Sequence, residues 1–247
     1  MQGFVGVMDS GVGGLSVLAH LVRRAPDRNY LYFADHAFCP YGTKTFAEIK
    51  ARVLTVADYL KRHNATSIVV ACNTASIFAE DIRQSTNLPI YDVIVPTCKI
   101  AVRATRNRRV ALLATNATVK SQAYQNALAE QGVTVIAYPC SCFVPLVENG
   151  ATKSEIEKTV AVTLADLPRA NCDTIILGCT HFPFLRKKIA PFCNGANIIE
   201  CQTDFPSGPS MPHGLSGQIV YCTTGDPARA NAVAQWCGNV NFTHVDV

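Results

Sequence analysis

Twice in this chain an apolar run ends in a small residue, a cysteine and a cluster of small polar groups. The two runs are Ile68-Val69-Val70-Ala71-Cys72-Asn73-Thr74 and Ile175-Ile176-Leu177-Gly178-Cys179-Thr180-His181. Apolar runs of this length bounded by small residues read as core strands. Both cysteines then emerge at strand C-termini, where open α/β sheets place their ligand sites. Strand-like and helix-like segments alternate around them. Strands are expected at Gly3 to Met8, Tyr30 to Ala34, Pro89 to Ile94, Arg109 to Leu113 and Val133 to Tyr138. Helices are expected at Gly14 to Arg24, Thr45 to His63, Ala75 to Ser85, Thr118 to Gln131 and Ser154 to Leu167. Such alternation implies parallel βαβ units.

The alternation contains a repeat. Val7-Met8-Asp9-Ser10 resembles Leu112-Leu113-Ala114-Thr115 at an offset of 105 residues, and Cys72 resembles Cys179 at an offset of 107. Matching offsets at two separate motifs imply two related halves. The expected fold is therefore α/β, with two pseudo-symmetric domains, mainly parallel sheets and a site in the cleft between them. Pro96 to Arg109 reads as the crossover, and the Pro-, Gly- and Ser-rich stretch Asp204 to Gly217 as the return linker. The tail reads as strand (Ile219 to Tyr221), turn, helix (Ala228 to Cys237) and strand (Asn241 to Val245), docked on the first half. The expected domains are 1–96 with 208–247, and 97–207.

Composition limits the remaining choices. With 247 residues, 49% of them apolar and only 16% charged, the chain can bury a substantial core and is not a disordered one. A net charge of +4 is modest. The densest basic run, Arg103 to Arg109, lacks interleaved aromatics and reads as a solvated helix end and loop, so no nucleic-acid partner is expected. The N-terminus shows no signal-peptide pattern and no apolar run reaches membrane-spanning length, so the expectation is a cytoplasmic protein without a membrane partner. Eleven cysteines at irregular spacing read mostly as reduced, buried small hydrophobes. Cys39, Cys98, Cys172, Cys193, Cys201, Cys222 and Cys237 carry no partner pattern. Cys140-Ser141-Cys142 has no second ligand pair at zinc spacing, so no metal is expected.

The strand ends carry the candidate chemistry. Asp9-Ser10-Gly11-Val12-Gly13-Gly14 misses the six-residue spacing of a dinucleotide loop, and an aspartate at the strand end fits a proton-handling group better than a phosphate cradle. Pro40-Tyr41-Gly42 alone is a turn. Helix starts after Cys72 and Cys179 would favour thiolate, the form that acts as a base. Two such thiols, one per half, suggest a reaction with an acid on one face of its substrate and a base on the other.

Taken together the motifs resemble the glutamate racemases of the aspartate/glutamate racemase family. The resemblance rests on Met8-Asp9-Ser10-Gly11-Val12-Gly13-Gly14-Leu15-Ser16-Val17, Pro40-Tyr41-Gly42, Ala71-Cys72-Asn73-Thr74-Ala75-Ser76, Ala114-Thr115-Asn116-Ala117-Thr118-Val119-Lys120, Leu177-Gly178-Cys179-Thr180-His181-Phe182-Pro183 and Thr223-Thr224-Gly225-Asp226-Pro227. It implies cofactor-independent interconversion of L- and D-glutamate for peptidoglycan, in a homodimer. Cys179 would deprotonate L-glutamate and Cys72 D-glutamate, with Asp9 assisting Cys72, His181 assisting Cys179, and Glu148 as an acidic residue near that histidine. Ser10, Tyr41, Gly42, Asn73, Thr74, Thr115, Thr118 and Thr180 would bind substrate. The resemblance departs at Glu200-Cys201, where the family often carries Asp-Ser. An aspartate or broad-substrate racemase, and a non-catalytic amino-acid-binding regulatory protein, are the alternatives.

Overall fold

A computed structural model describes residues 3–207, 217–235 and 240–247. The first half runs β1 (Phe4–Asp9), α1 (Leu15–Arg24), β2 (Asn29–Ala34), α2 (Phe46–Arg62), β3 (Ala65–Val70), α3 (Asn73–Ser76), α4 (Ala79–Thr86) and β4 (Ile90–Tyr91). The second runs α5 (Ile94–Ala104), β5 (Arg109–Ala114), α6 (Asn116–Lys120), α7 (Ala123–Ala129), β6 (Thr134–Pro139), α8 (Phe143–Glu148), α9 (Lys153–Thr163), β7 (Thr174–Gly178), α10 (Arg186–Ile189) and β8 (Asn197–Ile199). The tail adds β9 (Ile219–Thr223), α11 (Pro227–Ala234) and β10 (Phe242–His244). Of the expected linker, residues 204–207 and 217 are described, without regular structure, and the expected helix end at Cys237 lies outside the described residues.

Two sheets result, ordered β10-β9-β2-β1-β3-β4 and β6-β5-β7-β8, with every pairing parallel. The order β2-β1-β3-β4 in one matches β6-β5-β7-β8 in the other, so the sequence repeat is a structural one. The tail extends the first sheet, β9 pairing with β2. Side chains alternate across each sheet into two cores. Met8, Ile68 and Val70 pack on one face of the first sheet and Val5, Val7 and Val69 on the other. Ala111, Leu113, Ile175 and Leu177 oppose Val110, Leu112 and Ile176 in the second. Strands covered on both faces explain the unbroken apolar runs.

Four expected helical or connecting segments differ. The helix after Cys72 breaks at Ile77–Phe78, because the Ser76 hydroxyl donates to the Val70 and Cys72 carbonyls and Phe78 leaves helical geometry. The helix after Thr115 breaks at Gln122, which adopts left-handed φ 61°, while the Ser121 hydroxyl donates to the Thr118 carbonyl. The expected crossover is not a plain linker but contains α5, whose Pro96 sits in the first turn, where a missing N–H is tolerated. The Ser154 helix is shorter, starting at a Thr152/Glu155 capping box and giving way before Leu167. The Arg103 to Arg109 stretch is, as expected, a helix end and loop.

Candidate active site

The C-terminal ends of β1 and β3 face those of β5 and β7, and the loops that follow meet across the two halves. Hydroxyls of Thr74 from the first half and Thr115 and Thr118 from the second form a closed triangle, at 2.9 Å, 3.2 Å and 2.9 Å. Thr115 also caps α6 by accepting from the Thr118 amide. Asn73 is fully engaged with the opposite half: its Oδ1 accepts from the Tyr124 hydroxyl at 2.6 Å and its Nδ2 donates to Cys201 Sγ at 2.9 Å. Asp9 Oδ2 accepts from the Thr180 hydroxyl at 3.0 Å, and Oδ1 from the Gly11 amide. The side-chain partner of the Cys72 thiol is Ser10, with Oγ 4.0 Å from Sγ, while Asp9 acts on that thiol through its charge.

These contacts enclose a cavity lined by Ser10, Tyr41, Gly42, Cys72, Asn73, Thr74, Thr115, Cys179, Thr180 and His181, together with Pro40 and Val144. At ≈ 10 Å³ it holds about one water. No Lys or Arg lines it. Gly42 is there because a Cβ would lie 2.5 Å from Thr115 Cβ, so only glycine lets this turn meet the opposite half. Tyr41 presents its ring and backbone, not its hydroxyl, which donates to Asp35 at 2.7 Å. Asp35 also receives Arg52 on both oxygens and the Thr224 hydroxyl, a buried anchor that pins the Tyr41–Gly42 turn.

The glycine-rich loop finds its explanation here too. A Cβ on Gly13 would come within 2.5 Å of Thr180 Oγ1 and 2.7 Å of His181 Nδ1, so the loop's bareness seats the second half's histidine rather than a phosphate.

The two thiols sit in different surroundings. Cys72 begins α3, and the amides of Thr74 and Ala75 point at its sulfur. Burial nevertheless pushes its pKa up to about 12, helped by the negative charge of Asp9 and only partly offset by those amides and Ser10. Cys179 Sγ lies 3.8 Å from His181 Nδ1, and burial holds this thiol well above its usual range despite the His181 amide. Burial thus favours the neutral form of both thiols. His181 Nε2 donates to Glu148 Oε1 at 2.6 Å, and the Val12 amide donates to the same oxygen. Burial alone would raise Glu148 and lower His181, but their mutual bond outweighs it: Glu148 is held far below the carboxylate range and His181 above the usual imidazole range. Their bond favours the imidazolium–carboxylate form of the pair. Asp9 is raised, because burial outweighs His181, Gly11 and Thr180.

The expected site residues are thus brought to one region, but Asp9, Thr118 and Glu148 stand behind the cavity wall, bonded to Thr180, to Thr74 and Thr115, and to His181 respectively. The anchor Asp35–Arg52 and His36, whose Nε2 lies 3.4 Å from Glu148 Oε2, went unrecognised in the sequence, and Cys201 stood out there solely as part of the Glu200-Cys201 departure, not as a partner of Asn73. Only their place just after strand ends, Asp35 and His36 following β2 and Cys201 following β8, could have marked them. Among the described residues no group of three or more His, Cys, Asp or Glu is placed to hold a metal ion, and the ten cysteines described are free.

Known proteins share this architecture over nearly the whole chain. Glutamate racemase of Aquifex aeolicus is 39% identical over 197 residues, 79% of this chain and 78% of that protein. The crystal structure of a glutamate racemase isoform from Bacillus anthracis matches with a TM-score of 0.90 at 27% identity, covering 99% of this chain and 98% of that one. Glutamate racemase of Francisella tularensis, solved in complex with D-glutamate, matches with a TM-score of 0.85 at 26% identity, covering 100% and 97%. The family model described as Asp/Glu/Hydantoin racemase matches residues 5–203, which hold both thiols, Asp9, Glu148 and His181. The chain belongs to the Asp/Glu/hydantoin racemase family, whose members are amino-acid racemases among its relatives here.

Proposed function

We propose that this protein is a glutamate racemase that works without a cofactor, by two bases. The observation that carries the reading is the placement of two thiols, from equivalent strands of related halves, in one cavity whose wall holds no Lys or Arg. In the L-to-D direction Cys179 thiolate takes the Cα proton, the electron pair moves into the α-carboxylate, and the Cys72 thiol protonates the opposite face. Cys72 is left as thiolate; the D-to-L direction reverses each step. One thiol must be ionised while the other is protonated.

The raised thiols set a requirement that the substrate itself meets. Its α-ammonium would bring a positive charge in beside both sulfurs, adding to the His181 imidazole on the Cys179 side, and an opposite charge within about 4–6 Å favours thiolate. Asp9 assists Cys72 and His181 assists Cys179. Ser10, Asn73, Thr74, Thr115, Thr118, Thr180, Gly42 and the backbone at Tyr41 hold the carboxylates through neutral donors. Such donors leave the ground state less tightly held than a salt bridge would. A cavity with room for about one water cannot admit glutamate, so the halves part for entry and the threonine triangle opens.

We read the chain as two domains, 1–96 with 208–247 and 97–207, a division that the two separate sheets support. A homodimer, a cytoplasmic location and supply of D-glutamate to peptidoglycan, for cell-wall biogenesis and cell shape, accompany this reading. No helix among the described residues is long and apolar enough to cross a membrane. The test is incubation of the protein, free of pyridoxal phosphate, with L-glutamate, D-glutamate and both aspartates, followed by optical rotation. Glutamate should racemise from either side; racemisation of aspartate alone would move the protein to another branch, and inertness toward all four would leave a binding role.

A further inference from the structure

The loops that carry Cys72 and Cys179 are both tied to one side chain outside the cavity. Cys201 is the second residue after β8, where the chain leaves the second sheet. Its Sγ accepts from Asn73 Nδ2 at 2.9 Å and lies 3.3 Å from the Leu177 carbonyl oxygen, to which the thiol donates. Asn73 follows Cys72 directly, and Leu177 stands two residues before Cys179. Burial pushes the Cys201 thiol up to about 12, so it keeps the proton that Leu177 receives. A thiol can donate its proton and accept another through a lone pair, and here one sulfur does both, once toward each loop.

The surroundings hold this bridge in place. The Gln202 amide donates to Thr97 Oγ1 at 2.9 Å, and that hydroxyl donates to the Val93 carbonyl. The chain leaving the second sheet is thereby bonded to α5, the helix by which it enters that half. From the other side the buried Tyr124 hydroxyl donates to Asn73 Oδ1 at 2.6 Å, so both ends of the Asn73 amide are fixed by the second half. Cys201 thus stands beside both crossings of the chain between the sheets.

We propose that Cys201 is a positioning residue for racemisation: it holds the Cys72 and Cys179 loops at the separation that lets one sulfur take the Cα proton and the other supply one. The proposal rests on the two-thiol reading above, which makes that separation matter. A carbanion formed by Cys179 has two fates. Protonation by Cys72 on the opposite face completes inversion, whereas protonation by Cys179 on the face it left returns the starting enantiomer. The two fates compete, and moving one sulfur out of line with Cα favours return. Placed at the crossings, Cys201 is near the axis about which the halves part, where displacement is smallest. Its bridge therefore keeps the two loops in register while the threonine triangle opens and closes. Cys201 acts through Asn73 and Leu177, and no proton of the reaction passes through it.

The test follows both fates at once. Cys201→Ala removes the two bonds, Cys201→Val removes them but keeps the bulk, and Cys201→Ser restores them through a hydroxyl. Each is run beside wild type in heavy water, from L-glutamate and from D-glutamate, and stopped early. Optical conversion counts inversion, and Cα deuterium in the recovered starting enantiomer counts return. Their ratio does not depend on how much of the enzyme is folded. Cys201→Ala and Cys201→Val should lower kcat about tenfold with KM within about threefold, and raise the return-to-inversion ratio about fivefold from either side. Cys201→Ser should bring kcat and the ratio back to within about threefold of wild type. Cys201→Val carries the test if Cys201→Ala does not fold. An unchanged ratio in the alanine and valine variants, or a serine variant no better than alanine, overturns the positioning role while glutamate racemisation stands. A wild type inert toward glutamate overturns the two-thiol reading and the positioning role with it.

Discussion

The loops Cys72-Asn73-Thr74 and Cys179-Thr180-His181 occupy equivalent places at the ends of β3 and β7, yet they hold their thiols by different means. At Cys72 the chain enters a short α-helix at once, and the support is backbone: two amides aimed at sulfur, with Ser10 beside it. At Cys179 the chain turns through Thr180 and His181 into a short helical turn at Phe182–Leu185, and the support is an imidazole fixed by a buried carboxylate. Asp9, raised by burial, lies on the Cys72 side but is bonded to Thr180 of the other loop, so the two environments are tied together. Duplication supplied the matching strand ends, and the side chains around them diverged. On the proposed two-thiol reading, this difference gives each face of Cα a thiol in its own surroundings.

Breaking the pair outright has the largest expected effect. Cys72→Ala or Cys179→Ala should each lower glutamate racemisation at least about 10³-fold, measured as kcat by circular dichroism. Retention of more than a tenth of the rate in either variant would mean that one thiol suffices. Removing the imidazole sharpens the contrast: His181→Asn should lower kcat about 10²-fold with a smaller change in KM.

Stability separates the two sides as well. Glu148 carries a pKa below its ordinary 4.5, so its contribution is present above that value and is lost as pH falls through the lowered one. His181 carries one above its ordinary 6.5, so its contribution is complete below 6.5 and is lost as pH rises through the raised value. Both act fully between 4.5 and 6.5. Glu148→Ala should therefore cost about 3 kcal/mol in urea unfolding at about pH 5.5, and less on either side of that window. A pH-independent difference would show that the pair is not ionised. On the Cys72 side, Asn73→Ala strips partners from Cys201 and the buried Tyr124 hydroxyl, and should cost about 1–2 kcal/mol with no such pH window.

Much of this organisation was legible in the sequence, and what was hidden has physical reasons. The repeat and the strand ends show because buried parallel strands need continuous apolar runs, which stand out at any position. The helix breaks after Cys72 and Thr115 did not show, because Ser76 and Ser121 make them through side-chain bonds to backbone that leave apolar spacing unchanged. Cys201 read solely as part of the Glu200-Cys201 departure until the fold set it against Asn73. His36 follows β2 in a loop without periodicity, and its partners Glu148 and Thr223 are more than a hundred residues away in the chain. The glycine-rich loop could be rejected as a dinucleotide site from its spacing, but its purpose, making room for Thr180 and His181, needed the other half in place.

The claim at the centre of this account is that each thiol serves one enantiomer. It is tested most directly by separating the half-reactions in heavy water. Cys72→Ala keeps Cys179, and should exchange the Cα hydrogen of L-glutamate with solvent while leaving D-glutamate unlabelled and neither enantiomer converted. Cys179→Ala should do the opposite. Label entering both enantiomers in a single variant, or entering the one opposite to that expected, would contradict the assignment of one base to each face.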